Sequence, residues 1–78
     1  LEGTLRSFYV DDALAVTGLA LRDVPFPDGA SAVLVVRGRD LLAPKGSTVL
    51  TPGDHVYVFS RPSDLPYVQL LFGRPEGD

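Results

Sequence analysis

The sequence predicts an α+β fold: a small mixed or antiparallel β-sheet, with a short helix after the first strand and a second helix near the C-terminal end. Three observations carry this. The stretch from Val35 to Phe59 reads as strand, tight turn, short strand, turn and strand. Pro25 and Pro27 stop the apolar segment 19–24 after one or two helical turns, because proline cannot continue a helix and restricts the residue before it. Leu65, Val68, Leu71 and Phe72 recur at helical spacing just before Gly73.

Residues 4–10 are rich in β-branched and aromatic residues and predict the first strand, ended by Asp11 and Asp12. An apolar connector follows, with Gly18 at a turn. In the segment 19–24, helical spacing turns Leu19, Leu21 and Val24 inward. Residues 32–37, almost all apolar, predict a central strand covered on both faces. Gly38-Arg39 fits a two-residue hairpin with glycine at the first central position, as type II′ requires. Residues 41–43 return as a short strand, the segment 44–47 breaks it, and residues 48–50 add a brief extended piece.

Leu50-Thr51-Pro52-Gly53-Asp54 is a structural turn signal. Pro52 sets φ at the second position of a type II turn, Gly53 accepts the positive φ at the third, and Asp54 can bond the turn's own backbone. The last strand, 54–60, points Val56 and Val58 one way and His55, Tyr57 and Phe59 the other. The closing helix is expected to start near Pro62 or Ser63, with Ser63 as its cap, Asp64 at its positive end and Gly73 after its last turn.

The 78 residues form one small domain, 4–73, with residues 1–3 read as a linker or cut edge and 74–78 as a flexible tail. A chain this short buries only about 60% of its unfolded surface, and cysteine is absent, so no disulfide or thiolate metal site supports it. Oligomerisation is the remaining common support, and a homodimer is expected. A net charge of −3 with scattered basic residues argues against nucleic acid. No apolar run approaches the about 20 residues that span a bilayer, and no signal peptide is read at the start.

Few residues invite a chemical role. His55 is the single histidine; with no nucleophile or second base beside it, it is read as structural, and no enzyme activity or metal is expected. Asp11-Asp12 lacks the oxygen spacing of a hard-cation site and is read as a solvated strand end. Pro44-Lys45-Gly46-Ser47 lacks the upstream glycine and the strand-to-helix setting of a phosphate loop. Tyr9, Tyr57 and Tyr67 are assigned to packing in the core or in a dimer interface. Arg37 and Arg39 flank a hairpin glycine, where two guanidinium groups can meet phosphate or carboxylate oxygens bidentately. They are the chain's ligand-binding candidates; the alternative is an exposed turn with one arginine pairing Asp40.

In order along the chain, these segments resemble the TrkA carboxy-terminal (TrkA-C, or RCK-C) domain family. Phe8-Tyr9-Val10 corresponds to the first strand, and residues 18–23, Gly-Leu-Ala-Leu-Arg-Asp, to the family's G-x-x-L-x-E/D-L segment. Residues 27–30 resemble the approach to the central strand, residues 35–39 the I-x-R-x-G hairpin, and residues 42–44 its I/L-x-P. Residues 50–58 resemble L-x-x-G-D-x-L/V-x-V, and residues 65–72 the closing helix. The resemblance spans about residues 4–72. It implies a cytoplasmic, homodimeric regulatory domain of a prokaryotic potassium or sodium/proton transport protein at the inner membrane, with an antiporter parent favoured over a channel. It also implies allosteric control of cation transport, with no cofactor but a possible dinucleotide effector such as cyclic di-AMP in a cleft between subunits near Arg37 and Arg39. A dimerisation module without ligand and an unrelated small-molecule-binding β-domain are the competing readings.

Overall fold

The computed structural model describes residues 3–77. Leu1 and Glu2, assigned to the linker, and Asp78 of the tail lie outside the described residues. Four strands, β1 (Thr4–Tyr9), β2 (Ser31–Arg37), β3 (Asp40–Leu42) and β4 (His55–Ser60), form one sheet in the order β1-β4-β2-β3. Every pairing is antiparallel, so the mixed alternative falls away. Helix α1 (Leu65–Phe72) packs on one face of the sheet, giving the α+β architecture.

Alternation builds the core. Phe8 on β1, Val35 on β2 and Val56 and Val58 on β4 project to the same face and are fully or almost fully buried. Val68 and Phe72 on α1 close over them, and Val10, Val16, Leu21, Val24 and Leu50 seal the sides. The Phe72 ring lies 5.5 Å from Phe8 and 5.7 Å from Phe26, centroid to centroid. Aromatic contacts of this kind add to area burial.

The expected helix at 19–24 is a single 3-10 turn, Leu21–Asp23. So short a segment cannot offset the cost of helix nucleation, and Pro25 forbids extension. Leu21 and Val24 are buried as the spacing required, with Leu19 half-buried beside them. Residues 48–50 contribute only one bridge, Val49 to Ala20. The C-terminal helix is entered through a 3-10 turn, Pro62–Asp64, which places Pro66 in the first α-helical turn, where its missing N–H costs nothing. Ser63 makes no cap; Asp64 precedes the helix and accepts a hydrogen bond from Arg61 Nε at 2.8 Å. Gly73, with φ +81°, ends it, its N–H bonded to Gln69 O.

Two further expectations are corrected. The apolar strand β2 is covered on one face only: Val35 is buried, but Leu34 and Val36 on the other face are half-buried, and Val33, at a bulge between Ala32 and Leu34, is exposed. A continuous apolar run looks the same whether the second face meets a helix or a partner. The tail expected to be flexible is tied down as far as Glu76: Pro75 is buried and Glu76 N–H bonds Ser7 O at 2.8 Å.

Phe72→Ala is expected to cost about 3–5 kcal/mol, most of what a domain at the lower end of the usual 5–15 kcal/mol range possesses. Leu70→Ala, two residues away on the outer face of α1 and 79% exposed, is expected to change stability by about 0.5 kcal/mol or less. Thermal unfolding followed by circular dichroism checks both, and similar losses for the two would refute this core.

Candidate functional site

The turn after Leu50 forms as its residues require. Asp54 N–H bonds Thr51 O at 3.0 Å and Gly53 has φ +95°, which closes a four-residue turn with the left-handed position on glycine. Asp54 then turns its carboxylate back over the turn and accepts the Thr51 N–H at 2.9 Å. The side chain is fully buried.

The rest of that carboxylate is taken by Arg37. At the last position of β2, Arg37 lies on the same face as Val35. Its Nε donates to Asp54 Oδ1 and its Nη2 to Asp54 Oδ2, both at 2.9 Å, while Nη2 also reaches Val49 O at 2.8 Å. This is a bidentate fork on a buried acceptor, the strong form of charged hydrogen bond. Burial alone pushes the Asp54 carboxyl up. The Arg37 hydrogen bonds, the Thr51 N–H and the charges of Arg37 and His55 outweigh it and hold Asp54 below the usual carboxylate range. In return, the hydrogen bond to Asp54 holds the Arg37 guanidinium charged even more firmly than usual.

The hairpin between β2 and β3 has Gly38 at φ +60° and Arg39 outside the positive-φ region, the signature of type II′ rather than I′. Arg37 opposes Asp40 in register, yet its ion pair is with Asp54. The expected Arg–Asp40 pair is therefore replaced by one 17 positions along the chain. Arg39 is exposed at the hairpin tip. The structure thus joins Arg37 to Pro52-Gly53-Asp54 and sets Arg39 apart from them.

Sequence reasoning missed a second cluster. His55 Nδ1 lies 2.9 Å from both carboxylate oxygens of Glu76, and its ring is 5.4 Å from that of Tyr9. Glu76 is 21 positions away in a polar tail, and no local pattern links the two. Asp11, by contrast, accepts the Ala13 N–H, as a turn aspartate does. Among the described residues no group of three or more His, Asp or Glu side chains is placed to hold a metal, and no helix is long and apolar enough to cross a membrane.

The largest feature is the sheet face opposite α1. Three apolar cross-strand pairs line it: Leu5 with Phe59, Leu34 with Tyr57, and Val36 with Leu41. Tyr9 and His55 pair at its corner. Leu41 is 71% and Leu5 57% exposed, and no described element lies over them. None of the three tyrosines joins the core: Tyr57 is half-buried, and Tyr9 and Tyr67 are exposed. Contiguous exposed apolar residues on one sheet face are the kind of surface that proteins use for contacts.

Arg37→Ala leaves Asp54 buried without its cation. Breaking a fully buried pair costs about 3–5 kcal/mol; with Arg37 42% exposed, solvent screening reduces the expected loss to about 2 kcal/mol. Because the Asp54 pKa is lowered in the fold, this stabilisation is complete above the unfolded value of about 3.9 and is lost as pH falls through the folded value. Urea unfolding from neutral to strongly acidic pH should show the wild-type advantage over Arg37→Ala and over Asp54→Asn shrinking below about pH 4. An advantage unchanged by acid would refute the pair's role.

Three comparisons bear on what this architecture is. The family model described as TrkA-C domain matches residues 5–73. The chain is 37% identical over 57 residues to Trk system potassium uptake protein TrkA homolog 1 of Methanosarcina mazei, covering 73% of this chain and 13% of that protein. It is 31% identical over 72 residues to the Trk system potassium uptake protein TrkA homolog of Archaeoglobus fulgidus, covering 92% of this chain and 16% of that protein. The chain therefore spans less than a fifth of the length of these relatives. A solved chain described as "Structure of RCK domain with cda" superposes with a TM-score of 0.73 at 23% identity, covering 87% of this chain and 97% of its own; at that identity the likeness is one of fold. With the hairpin, the Pro-Gly-Asp turn and the closing helix in the expected order, and the model matching nearly the whole domain, this chain belongs to the TrkA-C domain family.

Proposed function

We propose that this chain is the regulatory domain of a potassium transport protein, working as a cytoplasmic homodimer that senses a ligand and biases the transport machinery. The family match and the names of the relatives support the potassium setting, and they favour an uptake system over the antiporter parent that the sequence suggested. The observation that carries the dimer is the open apolar sheet face, bounded by Leu5, Leu41 and Phe59. A two-fold contact puts one patch against its own copy, and the polar contact between His55 and Glu76 lies at a corner of this patch. Closing the face covers the half of the sheet that one short helix leaves open.

Control then takes the form of a population shift: a ligand that prefers one arrangement of the two subunits biases the whole assembly by its differential affinity. The effector proposed is anionic, with a cyclic dinucleotide such as cyclic di-AMP as first candidate, held near the hairpins. Arg39, exposed at the hairpin tip, is the side chain available to phosphate oxygens. Arg37 spends Nε and Nη2 within the chain, so its part is to hold the hairpin rigid and add positive potential.

Light scattering at high micromolar concentration should give twice the 8.4 kDa chain mass, and Val36→Glu, which sets like charges facing each other, should give the single-chain mass. A wild-type chain that stays monomeric sinks the dimer. Saturating cyclic dinucleotide should raise unfolding stability, by about 2.7 kcal/mol at a hundred times its dissociation constant, and Arg39→Ala should abolish the rise. An absent shift, or one that survives that substitution, removes the proposed ligand site.

A further inference from the structure

The sheet has two edges, and they are protected differently. An exposed edge offers unpaired N–H and C=O groups to any other strand, and proteins blunt it by shortness, charge, proline or a covering segment. The β3 edge is short: three residues, Asp40–Leu42, followed closely by Pro44. The β1 edge runs six residues, Thr4–Tyr9, with no proline or glycine. Val10 bonds inward, its N–H to Asp54 O and its O to Gly53 N–H, so by alternation Leu5, Ser7 and Tyr9 turn their backbone groups outward.

Onto that outer edge the chain after α1 is laid. Glu76 N–H takes Ser7 O at 2.8 Å, in the middle of the strand. Pro75 is buried beside it. The Glu76 side chain then continues past the edge to His55, which faces the side of the sheet opposite α1. The segment thus leaves the helix-bearing face, crosses the rim of β1 and is fastened on the open face.

We propose that residues 74–76 are an edge strap, fastened by the Glu76–His55 pair, whose role is to keep the β1 strand of a second copy from pairing with β1. The occupant excluded is another β1 because antiparallel pairing of two identical edges is self-complementary and needs no new sequence. One backbone bond and one side-chain hydrogen bond hold the segment across the centre of a six-residue edge. This inference is independent of the regulatory reading: isologous edge pairing doubles whatever unit the chain otherwise forms, a single copy or an open-face dimer, so the mass rises in either case.

Three variants of this chain test it. Glu76→Gln weakens the side-chain hydrogen bond to His55 and keeps the backbone donor, so hydrogen exchange of the amide at position 76, read by NMR, should quicken about two- to five-fold, as expected for a partly exposed pair. An unchanged rate overturns the fastening role of the pair. Glu76→Pro removes both the N–H and the carboxylate, and light scattering should then show masses above that of the wild-type assembly. Adding Ser7→Pro, which blocks an outward N–H that an edge strand does not need for its own ladder, should restore the wild-type mass. A mass unaffected by Glu76→Pro, or growth that Ser7→Pro does not reverse, overturns the proposal.

Discussion

The Arg37–Asp54 pair is the constraint on which the rest of the structure depends. It joins the end of β2 to the residue that opens β4, and through Val49 O it also anchors the segment that bridges to Ala20. Asp54 O receives Val10 N–H just beyond β1, so one buried residue meets parts of the chain at positions 10, 37 and 51. A carboxylate in such a place is tolerated only because each of its oxygens is occupied by N–H donors. Its satisfaction sets the register of β2 against β4, and register decides which side chains face α1.

From that register follows a sheet with two unlike faces. Toward α1, Phe8, Val35, Val56 and Val58 meet Val68 and Phe72 and supply the domain's hydrophobic stabilisation. Away from it, residues equally apolar stand half-buried or exposed. The hydrophobic effect does not distinguish the two sets; the helix does, because eight residues of α1 cover one side only. A module with so small a core gains most from a partner that covers the second face.

The outer parts of the fold read in the same terms. One edge ends after three residues, the other is crossed by the chain itself, and the open face carries the His55–Glu76 pair at a corner. The hairpin tip, held rigid from behind by the Arg37 fork, presents Arg39 to solvent. A domain built in this way presents an apolar sheet face and a cationic hairpin tip to its surroundings.

Local chemistry determined much of this protein. Pro52 and Gly53 required their turn, Gly38 its type II′ hairpin, Pro25 the end of the first helical turn, and the spacing of Val68 and Phe72 the face that α1 buries. These are properties of a few neighbouring dihedrals, and neighbouring residues suffice to set them. The sequence also marked Arg37, Arg39 and Asp54 as worth following, through their place beside turns. What only the tertiary structure decided was partnership. Arg37 had Asp40 opposite it in register and chose Asp54, because there its fork meets a buried carboxylate already oriented by Thr51. Glu76 found His55 and turned an expected tail into a strap, and β2 proved covered on one face because a single helix reaches only one side of a sheet. Pairings across 17 and 21 positions carry no local signature; they exist only once the strands have brought the two ends together.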